Sequence, residues 1–267
     1  MNNSIKTFTF KQSPLYYKDI GQGETILFIH GFLENRNMWK NMVSNLSITK
    51  RCIAPDLFGH GDSPALGYVH EMKTYAKAIS ELVQSLQIEK YSIVGHSMGG
   101  YVAMELLKLE DRKINNLVLL NSTPLPDSNE RKKDRDRAIR AIQKFPEAFV
   151  QMAVKNLFLP ENQEKLAQEI EDAILEAKKC SQQGIIATLQ GLKNRVNHKD
   201  TFTNANCKKL VIAGKQDQVV DFNALKTSIK GSKANLLSFK GGHMSHLEYP
   251  KEVLQALKIF LKIENHD

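Results

Sequence analysis

Cysteine is scarce in this chain. Its 267 residues include three cysteines, Cys52, Cys180 and Cys207, which lie far apart and form no C-x-x-C pair. Disulfide frameworks and zinc sites both show recognisable cysteine spacings, and neither is present here. The sequence therefore predicts free thiols in a reducing compartment and no metal site, with Cys52 buried in an apolar strand.

Long apolar runs are also lacking. No stretch approaches the ~20 apolar residues of a membrane span. The first residues, Met1 to Lys6, do not resemble the apolar segment of a secretory signal. With 42% hydrophobic and 25% charged residues, the composition is that of a soluble globular protein. We expect a cytoplasmic protein with no membrane partner.

Basic residues outnumber acidic ones by 37 to 29, which gives a net charge of +8. The lysines are nevertheless scattered along the chain. A nucleic-acid-binding surface gathers basic residues, together with aromatic ones, on one face. The sequence therefore predicts no nucleic-acid partner, and it leaves the oligomeric state open.

Apolar strand patterns alternate with helical patterns along most of the chain. Runs such as Thr25 to Ile29, Arg51 to Pro55 and Tyr91 to Val94 are apolar without face alternation, as in a parallel sheet covered on both sides. Residues before them, Lys6 to Phe10 and Leu15 to Asp19, predict a hairpin that turns around Ser13-Pro14. The expected fold class is α/β, with a mostly parallel, doubly wound sheet.

One stretch interrupts this alternation. Residues 124–201 have no strand pattern but show helical patterns over 129–145, 147–158, 161–180 and 182–195. We predict an all-helical cap over 124–201, inserted into a discontinuous core formed by 1–123 and 202–267. Its apolar residues Phe149, Met152 and Phe158 could line a substrate pocket or pack the cap itself, and the sequence does not separate these readings.

A charge-dense run from Arg131 to Arg137 lies in the first helical pattern of this stretch. Such a run could form an anion site. A solvated helix face with mixed ion pairs is the interpretation that the alternating signs favour.

The most informative segment is Gly95-His96-Ser97-Met98-Gly99, a G-x-S-x-G pattern between a strand pattern and a helical one. A serine on such a turn is held out at the carboxyl end of the sheet, and glycines leave room for the turn. The amide of Met98, at the helix start, is free to bind an anion.

Three further segments lie in a matching order. They are His30-Gly31-Phe32, Asp56 to Ser63 with the pattern D-x-x-G-x-G-x-S, and Gly242-His243 followed by Leu247 to Pro250. With the elbow segment, they resemble the α/β-hydrolase superfamily, in its branch of small esterases and C–C hydrolases. The resemblance spans most of the chain and implies the α/β-hydrolase fold with a helical cap.

The resemblance also implies a catalytic triad. Ser97 would be the nucleophile, His243 the base and Asp217 the acid, with the backbone N–H groups of Phe32 and Met98 as the oxyanion hole. His246 competes with His243 as the base and otherwise could line the site. The alternatives to Asp217 are less favoured: Asp221 is expected to cap a helix, and Asp127 is the first carboxylate after the strand that ends at Leu120. His30, His96 and Asp56 are expected to hold loops.

These residues predict a serine hydrolase that needs no cofactor and acts on a small-molecule substrate. A carboxylesterase acting on small or medium esters is the first expectation. The alternatives are C–C bond hydrolysis of diketone-like substrates, a cofactor-free haloperoxidase or perhydrolase side activity, and a slow-turnover ligand receptor on the same fold.

Overall fold

One sheet of eight strands runs through residues 4–263, the part of the chain that the computed structural model describes. Its strand order is β1-β2-β4-β3-β5-β6-β7-β8. The pairs β1–β2 and β2–β4 are antiparallel, and every later pair is parallel. The strands are β1 (Lys6–Phe10), β2 (Ser13–Ile20), β3 (Thr25–Ile29), β4 (Arg51–Pro55), β5 (Tyr91–His96), β6 (Ile114–Leu120), β7 (Lys208–Gly214) and β8 (Asn235–Phe239).

Helices cover both faces of this sheet. In the described residues they are α1 (Lys40–Leu46), α2 (Met72–Ser85), α3 (Met98–Glu110), α4 (Asn129–Lys144), α5 (Pro146–Lys155), α6 (Ala167–Ala177), α7 (Gln182–Lys193), α8 (Lys199–Asn204), α9 (Phe222–Ser228), α10 (Ser245–Glu248) and α11 (Pro250–Phe260). None of them is a candidate for crossing a bilayer.

Alternate side chains of the central strands enter two separate cores. Leu27 and Ile29 of β3 pack with α2 and α3, whereas Ile26 and Phe28 pack with α1 and α11. Both faces of β3 and β5 are therefore buried along their whole length. Burial on both faces explains why these strands read as unbroken apolar runs. The predicted fold class, a mostly parallel α/β sheet with helices on both sides, is confirmed.

The predicted turn of the first hairpin is wrong by two residues. The turn lies at Lys11 and Gln12, whose φ angles are 47° and 63°, and Ser13 already begins β2. Two-residue hairpin turns use positive φ because that twist matches the strands. Pro14 is tolerated in the strand because the pairing of β2 with β4 covers only Tyr17 to Ile20.

Between β6 and β7 the described chain forms α4 to α8 and adds no strand to the sheet. Side chains of α4 to α7 share a third core, which includes Ile142, Phe158 and Leu189. The predicted limit of the cap at residue 201 falls inside α8, whose Phe202 is buried in the core beside α3 rather than in the cap. Residues 1–3 and 264–267 of the predicted core lie outside the described residues.

Candidate active site

Ser97 occupies the single-residue turn between β5 and α3. Its φ is 49° and its ψ is −114°, a conformation that few residues other than glycine adopt. The Ser97 amide donates to the Leu120 carbonyl (3.0 Å), and the Ser97 carbonyl accepts the Ser122 hydroxyl (2.7 Å). The end of β6 and the loop that follows it therefore hold the strained backbone of Ser97.

The two elbow glycines are required by close backbone approaches. A Cβ at Gly95 would lie 2.7 Å from the carbonyl carbon of Gly99. A Cβ at Gly99 would overlap the Ile29 carbonyl oxygen of β3. Both gaps are too small for any side chain, so the turn can pass between β3 and α3 only with glycine at these places.

His243 lies against the Ser97 side chain. Its Nε2 is 2.8 Å from Ser97 Oγ, and its Nδ1 is 2.8 Å from Asp217 Oδ2 and 2.9 Å from Oδ1. Ser97 follows β5, Asp217 follows β7 and His243 follows β8, so the three side chains meet at the carboxyl edge of the sheet. The structure thus brings together the three residues that the sequence proposed as a triad.

Asp217 is fixed by further donors. It accepts the amides of Val219 (2.8 Å) and Val220 (3.0 Å) and the side-chain amide of Asn121 (3.1 Å). Burial raises the pKa of the Asp217 carboxyl, but His243 and the amides of Val219 and Val220 outweigh burial, so the pKa lies below its ordinary 3.8. Sequence reasoning missed Asn121, although a polar residue directly after the strand next to the elbow was a usable signal.

The competing candidates have other partners. Asp221 accepts the Ala224 amide (2.7 Å) at the start of α9, and Asp127 binds Arg135 (3.1 Å) and Arg195 (3.0 Å). His246 is buried with its ring 5.0 Å from that of His96, and it makes no hydrogen bond with Ser97. Burial lowers the pKa of His246 to about 3, so it is neutral at physiological pH.

Phe32 and Met98, whose amides the sequence predicted as the oxyanion hole, both line the cavity that contains Ser97. Met98 is the first residue of α3, and Phe32 follows β3. Neither amide donates a hydrogen bond within residues 4–263. Unpaired amides at a helix start and in the adjoining loop are suited to bind an anionic oxygen.

A buried ion pair that the sequence did not reveal supports this region. Glu34 Oε2 accepts the Gly31 amide (2.6 Å) and lies 2.8 Å from His96 Nδ1, while His96 Nε2 lies 3.1 Å from the carbonyl oxygen of His243. Burial lowers the pKa of His96, but Glu34 outweighs burial and raises it above 6.5. Burial raises the pKa of Glu34, and attraction to His96 and hydrogen bonds bring it down to about 2.

His30 and Asp56 hold loops, as the sequence predicted for these two residues. His30 Nε2 accepts the Leu57 amide (2.9 Å), and Asp56 accepts the amides of Arg36 (2.8 Å) and Asp62 (2.9 Å). The Arg36 guanidinium also pairs with the Asp56 carboxylate. These contacts join the loop after β3 to the loop after β4.

The cavity above Ser97 has a volume of about 330 Å³. Of the candidate substrate-binding residues, Phe149 lines it, Phe158 is buried in the cap core, and Met152 is 55% exposed and lies outside it. His246 lies in a separate cavity. Other lining residues are Leu33, Tyr101, Ala138, Ala153, Leu157, Leu189, Leu192 and Val219.

The charged run on α4 forms ion pairs and also borders the cavity above Ser97. Its residues form ion pairs, Arg135 with Asp127 and Arg137 with Asp134. Yet Arg131, Asp134 and Arg135 also line the rim of the cavity above Ser97. The run is therefore not simply a solvated face. No group of metal-ligating side chains is found in the described part of the chain.

Comparisons with known proteins agree with this architecture. A family model described as the α/β hydrolase fold matches residues 24–250. A thermophilic esterase from Thermogutta terrifontis superposes with a TM-score of 0.89 at 26% identity, covering 97% of each chain.

Sequence relatives add to this. The AB hydrolase superfamily protein YisY of Bacillus subtilis is 27% identical over 96% of this chain and 97% of its own length. An uncharacterized protein of Mycobacterium tuberculosis is 35% identical over 106 residues, which is 40% of this chain and 31% of that protein. The match with this mycobacterial relative thus spans about a third of its length.

Proposed function

The chain belongs to the α/β hydrolase fold family, and from that premise we propose that it is a serine hydrolase that cleaves small or medium carboxylic esters. One observation carries the proposal. Ser97 Oγ, His243 and Asp217 form a continuous hydrogen-bonded series with distances of 2.8 Å at both links. A hydroxyl, an imidazole and a carboxylate in this order are the parts of an acyl-transfer site.

The reaction would begin with proton transfer from Ser97 to His243. The ionised Asp217 holds the Nδ1 proton of the imidazole, which leaves Nε2 free to accept the hydroxyl proton as Oγ attacks the ester carbonyl. Asp217 also stabilises the imidazolium that forms. The Asn121 amide and two backbone amides keep the carboxylate in place during this step.

The carbonyl oxygen becomes an anion as Oγ attacks. The amides of Phe32 and Met98 would bind it, and each such donor contributes about 3 kcal/mol to the stability of a transition state. His243 then gives its proton to the departing alcohol. A water molecule attacks the acyl-serine in the same way, the acid leaves, and Ser97 regains its proton.

The proposed substrate size rests on the cavity. A volume of about 330 Å³ lies at the lower end of small-molecule sites, which span about 300–1,000 Å³. Apolar side chains, including Phe149 and Leu189, form much of its wall. The similarity to the Thermogutta esterase supports ester hydrolysis as the activity.

A fluorophosphonate probe gives the direct test. The adduct is expected on the peptide that contains Ser97, with no adduct in Ser97→Ala. The same variant should hydrolyse p-nitrophenyl acetate and butyrate about 10³–10⁶-fold more slowly than the parent protein, with an unchanged circular dichroism spectrum. Labelling elsewhere, or full activity in Ser97→Ala, would refute the proposal.

A series of p-nitrophenyl esters with acyl chains of increasing length distinguishes between the remaining functional hypotheses. Rapid hydrolysis of short p-nitrophenyl esters that declines with longer acyl chains supports the proposed esterase. Cleavage of a coloured vinylogous diketone without ester hydrolysis would replace it with C–C hydrolysis. Tight ligand binding with almost no turnover would replace it with a receptor.

A further inference from the structure

An arginine of the cap contacts the loop that holds the proposed catalytic acid. Arg131 lies near the start of α4, and its Nη2 donates to the carbonyl oxygen of Val219 (2.9 Å). The amide of Val219 donates in turn to Asp217 Oδ1 (2.8 Å). Arg131 and Val219 are half-buried, and both line the cavity above Ser97. The Arg131 guanidinium therefore lies at the cavity wall, one residue contact away from the triad.

Arg131 pairs with no carboxylate in the described part of the chain. Asp134 lies three residues further along the helix but pairs with Arg137, and Asp127 binds Arg135 (3.1 Å). A guanidinium has five N–H donors and is always charged. One hydrogen bond to a neutral carbonyl leaves that charge without a counterion. Arg131 can therefore bind an anion without breaking an ion pair.

The other charged residues of the catalytic cavity have partners of opposite sign. Glu34 Oε2 lies 2.8 Å from His96 Nδ1, and Asp134 pairs with Arg137. Each carboxylate in the cavity wall thus has a basic group beside it. The positive charge of Arg131 is not cancelled by them, so the cavity favours a negatively charged group at this end.

A smaller cavity adjoins the catalytic one at this place, and we call it the arginine pocket. Its volume is about 210 Å³. The two cavities share Tyr101, Arg131, Arg135 and Val219 in their walls. Arg131 therefore borders both spaces, and an anion beside it is exposed to the charges of both.

The arginine pocket carries a net positive charge. Three arginines line it, Arg131, Arg135 and Arg195, against two aspartates, Asp127 and Asp221, and three minus two gives a formal charge of +1. Asp127 lies between Arg135 and Arg195, at 3.1 and 3.0 Å, and Asp221 caps α9. A field of this sign attracts anions, and a charge of +1 is matched by one carboxylate.

We propose that the ester substrate also carries a carboxylate, which Arg131 binds while the ester group lies at Ser97. The inference rests on the proposed ester hydrolysis and names its substrate class: half-esters of dicarboxylic acids, or acylated hydroxy acids. A guanidinium and a carboxylate form two parallel, charge-assisted hydrogen bonds, which fix the orientation of the bound molecule. The apolar chain between its two ends would contact the apolar lining, including Leu189 and Leu192.

Two matched pairs of esters test the substrate class. Monoethyl adipate and ethyl adipamate differ only in a terminal carboxylate or amide on the acyl side. The pair 6-acetoxyhexanoate and 6-acetoxyhexanamide differs in the same way on the alcohol side. We expect kcat/KM, measured from acid release, to be higher by about tenfold or more for the carboxylate member of at least one pair, which identifies the side that faces Arg131. Equal or lower values for the carboxylate member of both pairs overturn the proposal.

Two arginines of α4 provide a variant and its matched control. Arg131→Gln should bring the carboxylate-to-amide ratio of kcat/KM close to unity, and Arg131→Lys, which keeps the charge but loses the planar fork, should retain part of the preference. Arg140 is exposed on the same helix and lines neither cavity, so Arg140→Gln should leave the ratio unchanged. Circular dichroism checks the fold of each variant. A ratio that survives Arg131→Gln, or falls equally in Arg140→Gln, would refute the role of Arg131.

Binding of adipate tests the carboxylate site without turnover. Isothermal titration calorimetry should show saturable binding of adipate, weaker binding of the neutral diamide, and a Kd for adipate that Arg131→Gln raises by about tenfold or more. If no ester is hydrolysed but adipate binding depends on Arg131, the proposed function fails and the carboxylate site stands. If neutral esters are hydrolysed but adipate binding is the same in Arg131→Gln, the proposed function stands and the carboxylate site is refuted.

Discussion

At Ser97 the backbone conformation and the side-chain contacts together place Oγ against the imidazole of His243. The left-handed φ lifts Oγ off the end of β5, and the imidazole of His243 meets it at 2.8 Å. The other nitrogen of this imidazole contacts Asp217, and the main-chain carbonyl oxygen of His243 contacts Nε2 of His96. His243 is thus oriented through its side chain and its main chain together.

Replacing His243 and replacing His246 should have very different effects on kcat. His243→Ala removes the group that contacts Ser97, so kcat for p-nitrophenyl acetate should fall about 10³–10⁶-fold. His246→Ala removes a neutral ring that packs on Trp39 and His96, so kcat should fall by less than about tenfold. Steady-state kinetics of both variants decides the assignment. If the two effects are exchanged, His246 is the base.

The Glu34–His96 pair should give stability a pH dependence. The pKa of Glu34 is lowered from 4.5 to about 2, so its contribution is present above pH 4.5 and is lost as the pH falls through 2. The pKa of His96 is raised from 6.5, so its contribution is present below pH 6.5 and is lost as the pH rises through the folded-state value. Both contributions are complete between about pH 4.5 and 6.5.

Glu34→Gln therefore should lower the free energy of unfolding most in that window, by about 1–3 kcal/mol. The difference from the parent protein should narrow towards pH 9 as His96 loses its proton. Urea unfolding at a series of pH values measures it. A difference that is constant from pH 5 to 9 would show that the ion pair does not control this stability.

At the level of elements, all the site residues come from segments that follow parallel strands. The segments after β3, β5, β7 and β8 supply Phe32, Ser97, Asp217 and His243. Parallel strands end at a common edge, so residues far apart in sequence become neighbours there. The register of β5 beside β3 also explains why the elbow must pass so close to Ile29.

Gly99 should tolerate no side chain. Gly99→Ala places a Cβ on the Ile29 carbonyl oxygen, which is main chain and cannot move without disturbing β3, so we expect a loss of several kcal/mol or no folded protein. Gly67→Ala is the control, because nothing lies within 4 Å of its Cβ and only its φ of 79° is unfavourable. It should cost about 1–2 kcal/mol. Equal unfolding midpoints for the two variants would show that the elbow is not tightly packed.

Sequence patterns predicted the elements best where burial is uniform. The apolar runs of β3, β4 and β5 were recognised because both faces of these strands are covered. The hairpin turn was misplaced because Lys11 and Gln12 have no turn preference of their own, and the neighbouring proline pointed elsewhere. Helix α8 was not predicted, since its six residues are too short for a helical period.

At the scale of the whole molecule, the three cores leave all the thiols inside. Cys52 lies between the sheet and α1, Cys180 in the cap and Cys207 beside the sheet. All three are free and buried. Burial raises the pKa of Cys52 and Cys180 to about 12 and that of Cys207 to about 11. Protonated, covered thiols are poor nucleophiles.

The native protein should therefore not react rapidly with Ellman's reagent at pH 8. The three cysteines should react fully once the chain is unfolded in guanidinium chloride. Absorbance of the released thionitrobenzoate measures both states. A fast reaction of the native protein would mean that one of the cores opens readily.

The sequence alone determined the strand–helix order and the residue types of the site, because apolar periodicity and glycine requirements are local properties of the chain. It also ranked His243 over His246 and Asp217 over Asp221 by position in a motif. Only the tertiary structure decided which side chains share a space. Asn121 donates to Asp217, and Glu34 pairs with His96. Phe32 and Leu33 separate two cavities. All of these depend on contacts across the sheet and the cap. Such contacts leave no periodic trace in the sequence, since each joins residues whose separation along the chain is set by the fold.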